Sequence, residues 1–263
     1  MSQPSVPPTA SAAPESEYVL SGLLSDAWAF FQKHFKLIAL TVLALSVPLH
    51  VLQSLFVDYR GSDILIENPN GWESVGWSFI SPAAWVAMVI GSLIGIIIPL
   101  SVARLTDALQ HGETIDFRVA LSRGFQKWGA GLVTMLVMGV LLALLFFALI
   151  IPGIIFAVYW MFVVIVVALT DKTLLTALSY SRALVRGRWW KLFGYALVMA
   201  LISWVVLWVV GFVLGLFGSN YISDVIGNIA GDLVGAFYVV AGVFLFRNLQ
   251  RITKLDVPPP PAS

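Results

Sequence analysis

His50 and Asp232 are ionisable side chains set inside apolar text, LALSVPLHVLQ and IGNIAGDLVGA. An unpaired charge in hydrocarbon costs at least about 2.5–3.5 kcal/mol, so residues of this kind mark candidate proton-transfer or solute-binding sites. Asn228 and Tyr221 would add an amide and a phenol near the outer mouth of such a site. The plainer alternatives are a polar clamp between helices, or an aspartate wetted at a helix end. His50 stands 14 residues beyond Lys36, about 21 Å along a helix rising ~1.5 Å per residue. Asp232 lies six residues into the last apolar run, counted from Ile226 at its outer end. In a ~30 Å core that puts it about 21 Å above the inner edge. The depths agree, and a bundle that makes the first and last spans neighbours would let the two side chains hydrogen-bond.

The stretch RGRWWKLF, Arg186 to Phe193, is a second candidate. Arg182, Arg186, Arg188 and Lys191 could hold an anionic lipid headgroup, with Trp189 and Trp190 at the boundary where an indole is half wet. Ordinary electrostatic anchoring gives the same text. Catalytic signatures are missing: no HExxH pair, GxSxG elbow or phosphate-cradling loop occurs, and zero cysteines remove thiolate chemistry. Asp63, Glu67 and Glu73 are too dispersed for a metal site. The expectation is a protein that is not an enzyme and uses no cofactor or metal.

The elements that must carry these residues are membrane spans. Hydrophobic residues make up 59% of the 263 residues and charged ones 11%, against ~25% charged in a soluble domain. Apolar runs fall at roughly 37–57, 79–103, 129–170, 192–217 and 226–246. The third, of roughly 42 residues, would make a helix about 63 Å long, twice the hydrocarbon thickness. It has to fold back, and Pro152 with Gly153 are the expected hairpin turn. Six spans result.

With six spans, Lys33, Lys36, Arg104, Arg118, Arg123, Lys127, Lys172, Arg182, Arg186, Arg188, Lys191, Arg247, Arg251 and Lys254 share one side, leaving Arg60 opposite, 14 of the 15 cations. The positive-inside rule then predicts cytoplasmic termini in a bacterial inner (plasma) membrane. Residues 1–17 and 253–263 read as a disordered tail and a proline-rich tail flanking a transmembrane domain at 18–252.

Glycines recur every four residues at Gly227, Gly231 and Gly235, at Gly211 and Gly215, and at Gly91 and Gly95. This spacing predicts close helix packing inside the bundle. Pro48 is expected to kink the first span near His50.

Amphipathic segments precede spans one, three and five. FQKHF at 31–35 resembles FQKWG at 125–129, and ALS at 120–122 recurs at 177–179. In the second segment Phe117, Ala120, Leu121, Gly124, Phe125 and Trp128 share a helical face. In the third Leu174, Ala177, Leu178, Ser181 and Val185 do so, with Asp171 as the expected cap. The first has Leu20, Leu24, Ala27 and Phe31 on one side. The predicted fold is all-α and polytopic: a cytoplasmic interfacial helix followed by a transmembrane hairpin, used three times.

Residues 150–198, from IIPGII through the alanine-leucine-serine helix to RGRWWKLFGYALV, resemble the bacterial integral-membrane family named for the membrane domain of glycerophosphoryl diester phosphodiesterase. The resemblance implies the membrane module alone, since no catalytic barrel follows, and it brings no catalytic residues. The favoured expectation is a non-enzymatic module that engages anionic lipid or partner membrane proteins in envelope or lipid homeostasis. A small-solute or proton-coupled transporter built on His50 and Asp232 is the alternative. It would need a polar cavity near mid-membrane and broken helices around it, and few mid-span polar residues are in view. No nucleic-acid partner is expected.

Overall fold

A computed structural model describes residues 20–54, 82–218 and 221–253. The expected tails and the acidic connection at 58–78, with Arg60, Trp72 and Trp77, lie outside the described residues. Among the described residues the chain is all-helical, with six apolar helical stretches long enough to cross a membrane. The protein is therefore a polytopic membrane protein.

The element pattern recurs three times. Unit one is α1 (Leu20–Lys33), the outgoing span α2 (Phe35–Ser54) and a returning span made of α3 (Pro82–Gly95) and α4 (Ile97–Gln110). Unit two is α5 (Phe117–Gln126), α6 (Trp128–Ala148), α7 (Ile150–Tyr159) and α8 (Val163–Leu169). Unit three is α9 (Leu174–Val185), α10 (Trp189–Gly215) and α11 (Tyr221–Thr253). Each short helix seats on the returning span of the unit before it: α5 on α4, α9 on α7 and α8, and α1 on α11. The last of these contacts closes the units into a ring. Phe237 of α11 meets Trp28 and Phe31 edge-on, and Phe244 meets Phe30.

The short helices share a buried alanine, Ala27, Ala120 and Ala177, each 0% exposed. This fixes the register between units. Ala27 matches Ala120, and Phe35 matches Trp128 as the first residue of the following span, so the FQK identity is one residue out of step with the elements. Buried faces depart from the expected ones in detail. In α5 Phe125 is exposed and stacks on Trp128. In α9 Tyr180 and Leu184 join the buried set, while Leu174 is exposed. In α1 Leu23 is buried and Leu24 half-buried.

The hairpin turn corrects the expectation for Pro152 and Gly153. The chain turns at Leu149, whose extended backbone (φ −160°, ψ 132°) separates α6 from α7. Pro152 is the third residue of α7, where a missing N–H costs no helical hydrogen bond. Gly153 is there for proximity: a Cβ on it would stand 2.5–2.8 Å from the Phe146 ring.

Asp171 does not cap α9. Thr173 does, in a capping box with Thr176, while Asp171 pairs with Lys127 at 3.0 Å. Leu174, with φ 51°, donates its N–H to Thr134 Oγ1 at 2.9 Å, which ties α9 to α6. The break between α7 and α8 is bridged by Ser181 of α9, whose Oγ donates to the Tyr159 carbonyl at 2.8 Å and accepts from the Phe162 N–H at 3.3 Å.

Candidate functional site

The ring brings α2 against α11, and with them the two intramembrane ionisable residues. His50 Nε2 lies 2.8 Å from Asp232 Oδ2, with side-chain exposures of 14% and 28%. On its other side the imidazole Nδ1 lies 3.0 Å from Gln53 Oε1. The ring is thus held between the Asp232 carboxyl and an amide that offers a donor or an acceptor according to which way it is turned. Gly91 of α3 makes the room for the amide, because a Cβ there would stand 1.8 Å from Gln53 Nε2.

The pair borders a cavity of about 330 Å³ between α2, α3, α4 and α11. Gly91, Ser92, Gly95, Ile98 and Pro99 line it from α3 and α4, and none is titratable. Gly231, Gly235, Ala236 and Val239 line it from α11. The returning span passes beside it with helical dihedrals kept at Ile96, between α3 and α4 (φ −58°, ψ −25°). Pro99 has no N–H, so the helical partner of the Gly95 carbonyl is missing at a point where both residues face the cavity. In α2 the helix runs on through Pro48 to Ser54.

The glycines were expected to form packing seams; Gly91 does lie against Gln53 of α2, but most of the others have no close neighbour. A Cβ on Gly231, Gly235, Gly95, Gly211 or Gly215 would meet no atom within 4 Å. Only Gly227 of the α11 set approaches a neighbour, Leu214, at 3.6 Å. Gly231 and Gly235 are cavity walls, kept thin by the absence of a side chain. Gly231→Ala is thus expected to stabilise the fold by about 0.5–1 kcal/mol, the gain of alanine over glycine inside a helix. Denaturation of the purified protein in mixed micelles would measure this, and a loss above 1 kcal/mol would restore the packing seam.

Asn228 is not part of this site. It is exposed and lines a separate cleft with Gly211, Gly215 and Asp224, between α10 and α11. Tyr221 lies nearer, its hydroxyl 3.4 Å from the Val51 carbonyl at the outer end of α2.

About 22 Å along α11 from Asp232, at ~1.5 Å per residue, a second polar layer crosses the bundle. Arg247 Nε donates to Asp107 Oδ1 at 2.7 Å, and its Nη1 to Gln250 Oε1 at 3.0 Å. Gln250 Nε2 donates to the Tyr180 hydroxyl at 2.9 Å, and Lys172 Nζ sits 4.4 Å over that ring. These contacts join α4, α9 and α11 below the cavity. In the sequence Arg247 counted only toward the one-sided distribution of cations; the available signal for its partner was Asp107, an acid at the end of an apolar helix.

Two further cations are engaged by carboxylates at this end. Arg123 forms a two-pronged pair with Glu113, one prong at 3.0 Å, and holds that carboxyl below the usual range. Lys127 does the same for Asp171 through its hydrogen bond. Burial, and secondarily Lys33, push His34 down.

Trp128 and Trp189, the first residues of α6 and α10, donate their indole N–H to the carbonyls of Leu93 and Ile155 at 2.8 and 3.1 Å. Each ties its span to the returning span of the preceding unit. Trp190 is 78% exposed.

No family model, curated protein or solved structure matches this chain.

Proposed function

We propose that this protein is a non-enzymatic, proton-linked transporter of a small polar solute. The observation that carries this reading is the His50–Asp232 pair at 2.8 Å, facing a cavity inside a membrane bundle. The Gly95 carbonyl, deprived of its helical N–H partner by Pro99 in the returning span, supports the same reading. Unpaired backbone in a membrane is tolerated where it lines a cavity. These two features tip the balance from the lipid-engaging module toward transport.

The solute class follows from the site. With both His50 ring nitrogens engaged, the acceptors left are the Asp232 carboxyl and the Gly95 carbonyl, which suit the ammonium group of a small amino-acid-like solute. The Asp107–Arg247 layer then separates the cavity from the cytoplasm. The fourteen-to-one division of cations supports cytoplasmic termini in a bacterial plasma membrane. The order of elements from Pro152 to Trp190 supports membership of the glycerophosphoryl diester phosphodiesterase membrane-domain family.

The test uses full-length protein in proteoliposomes, an inward proton gradient, and labelled glycine, alanine and serine as probes. At least one should accumulate in proportion to the gradient. Asp232→Asn should reduce uptake at least tenfold, and Gly235→Leu, which fills the cavity, should reduce it comparably. Uptake of none of the three, or equal uptake by the variants, would count against the proposal. Engagement of lipid or a partner protein is a second reading, favoured by α10, whose apolar window is only 6% buried.

A further inference from the structure

Cations at the α1, α5 and α9 end do not all have the same task. Arg123, Lys127 and Arg247 each face a carboxylate within the fold. Arg182 and Arg186 do not: among the described residues neither has a carboxylate within 4.0 Å. Both lie on the exposed stripe of α9 formed by Ser179, Arg182, Ala183 and Arg186, positions i, i+3, i+4 and i+7 of one helical face. The opposite face, with Ala177, Tyr180, Leu184 and Val185, is buried in the bundle, so the stripe has a fixed direction.

The stripe borders a depression of about 480 Å³ closed on its other side by Tyr159 of α7. The Arg182 guanidinium carbon stands 5.6 Å from the Tyr159 ring centroid and 5.9 Å from that of Phe156. The rings orient the group without using its N–H donors, which stay available for an oxyanion. Arg186 closes α9 in extended geometry (φ −56°, ψ 130°), and Gly187, at φ 83°, turns the chain toward α10. A second depression adjoins it, bounded by Arg188, Trp189, Trp190 and Lys191. Trp189, fixed to the Ile155 carbonyl, holds this corner in place.

We infer that Arg182 and Arg186 form a binding site for a phosphate ester, and that the exposed Trp190 offers apolar surface to the chains of a phospholipid; the Ser179 hydroxyl on the same stripe donates to the Thr176 carbonyl at 3.0 Å. The chemistry is that of a planar two-pronged donor on a phosphate oxygen pair. The site lies on α9 and is independent of the His50–Asp232 cavity, so either can fail without the other.

Native mass spectrometry of the full chain in detergent, titrated with phosphatidylglycerol, phosphatidylcholine and glycerol 3-phosphate in separate arms, tests the assignment. Phosphatidylglycerol should bind, and Arg182→Gln with Arg186→Gln should weaken it on the order of 25-fold, about fivefold per cation. Arg118→Gln on α5, which removes an equal charge elsewhere, should change the affinity less than twofold. Both arginines are exposed, and a retained thermal midpoint without lipid would separate loss of binding from loss of fold. Glycerol 3-phosphate binding with the same dependence on the two arginines would support the phosphate site and assign it a soluble ester. Equal binding of phosphatidylcholine, equal binding by the double variant, or an equal loss in Arg118→Gln would overturn it.

Discussion

Asp232→Ala should lower the stability of the bundle by about 2–4 kcal/mol, since it leaves His50 Nε2 facing the cavity without its partner. The loss comes less from the attraction forgone than from a polar group stranded in a poorly hydrated place. His50→Ala should cost a similar amount by stranding Asp232 and the Gln53 amide together. Because each single change already breaks the contact, the double variant should lose about 1–3 kcal/mol less than the two singles combined. Unfolding of all four proteins in the same mixed micelles completes the cycle. Additive losses would mean that the two residues are stabilised by water rather than by each other.

The second large effect concerns Gly124, where α5 crosses α4. A Cβ at that position would stand 2.0 Å from Ser101 Oγ, and 2.9 and 3.0 Å from the Ser101 backbone N and Cα. A side chain can rotate away, but the backbone of α4 cannot. Gly124→Ala should therefore lift α5 from its seat, costing about 1–3 kcal/mol, and Ser101→Gly added to it should recover only part of the loss. Hydrogen exchange would show faster opening across 117–126 in the variant. Full rescue by Ser101→Gly would place the whole conflict in the hydroxyl. The contrast with Gly231→Ala is instructive: two helical glycines in one bundle are expected to respond with opposite sign, according to whether another backbone or a cavity lies beyond the hydrogen.

That contrast also marks the limit of what residue order alone conveys. The six spans are legible because the hydrocarbon thickness and the rise of a helix fix their length, and the common depth of His50 and Asp232 follows from the same arithmetic. Their meeting needed one more fact, that the first and last units are neighbours. The glycine spacing was legible as a pattern but not as a purpose. A run every four residues looks identical whether it admits a neighbouring helix or leaves a space, and Gly231 and Gly235 leave a space. At the fold-back, Pro152 and Gly153 were natural choices, yet proline is tolerated in a first helical turn and the chain bends at Leu149.

Cation partners were out of reach for a different reason. Asp107 and Arg247 are 140 residues apart, and nothing in local periodicity tells an arginine that anchors to headgroups from one that holds two helices together. Thr173 is the cap because α9 begins at Leu174, which leaves Asp171 two residues outside the cap position, paired with Lys127.

The seating of α1 on α11 has a consequence for biosynthesis. The second and third short helices find their seats on spans already made when they leave the ribosome. The first does not: Phe237 and Phe244, which receive Trp28, Phe31 and Phe30, are more than 200 residues downstream. α1 thus emerges long before its seat exists, and until then its aromatic face rests on lipid or on a helper protein.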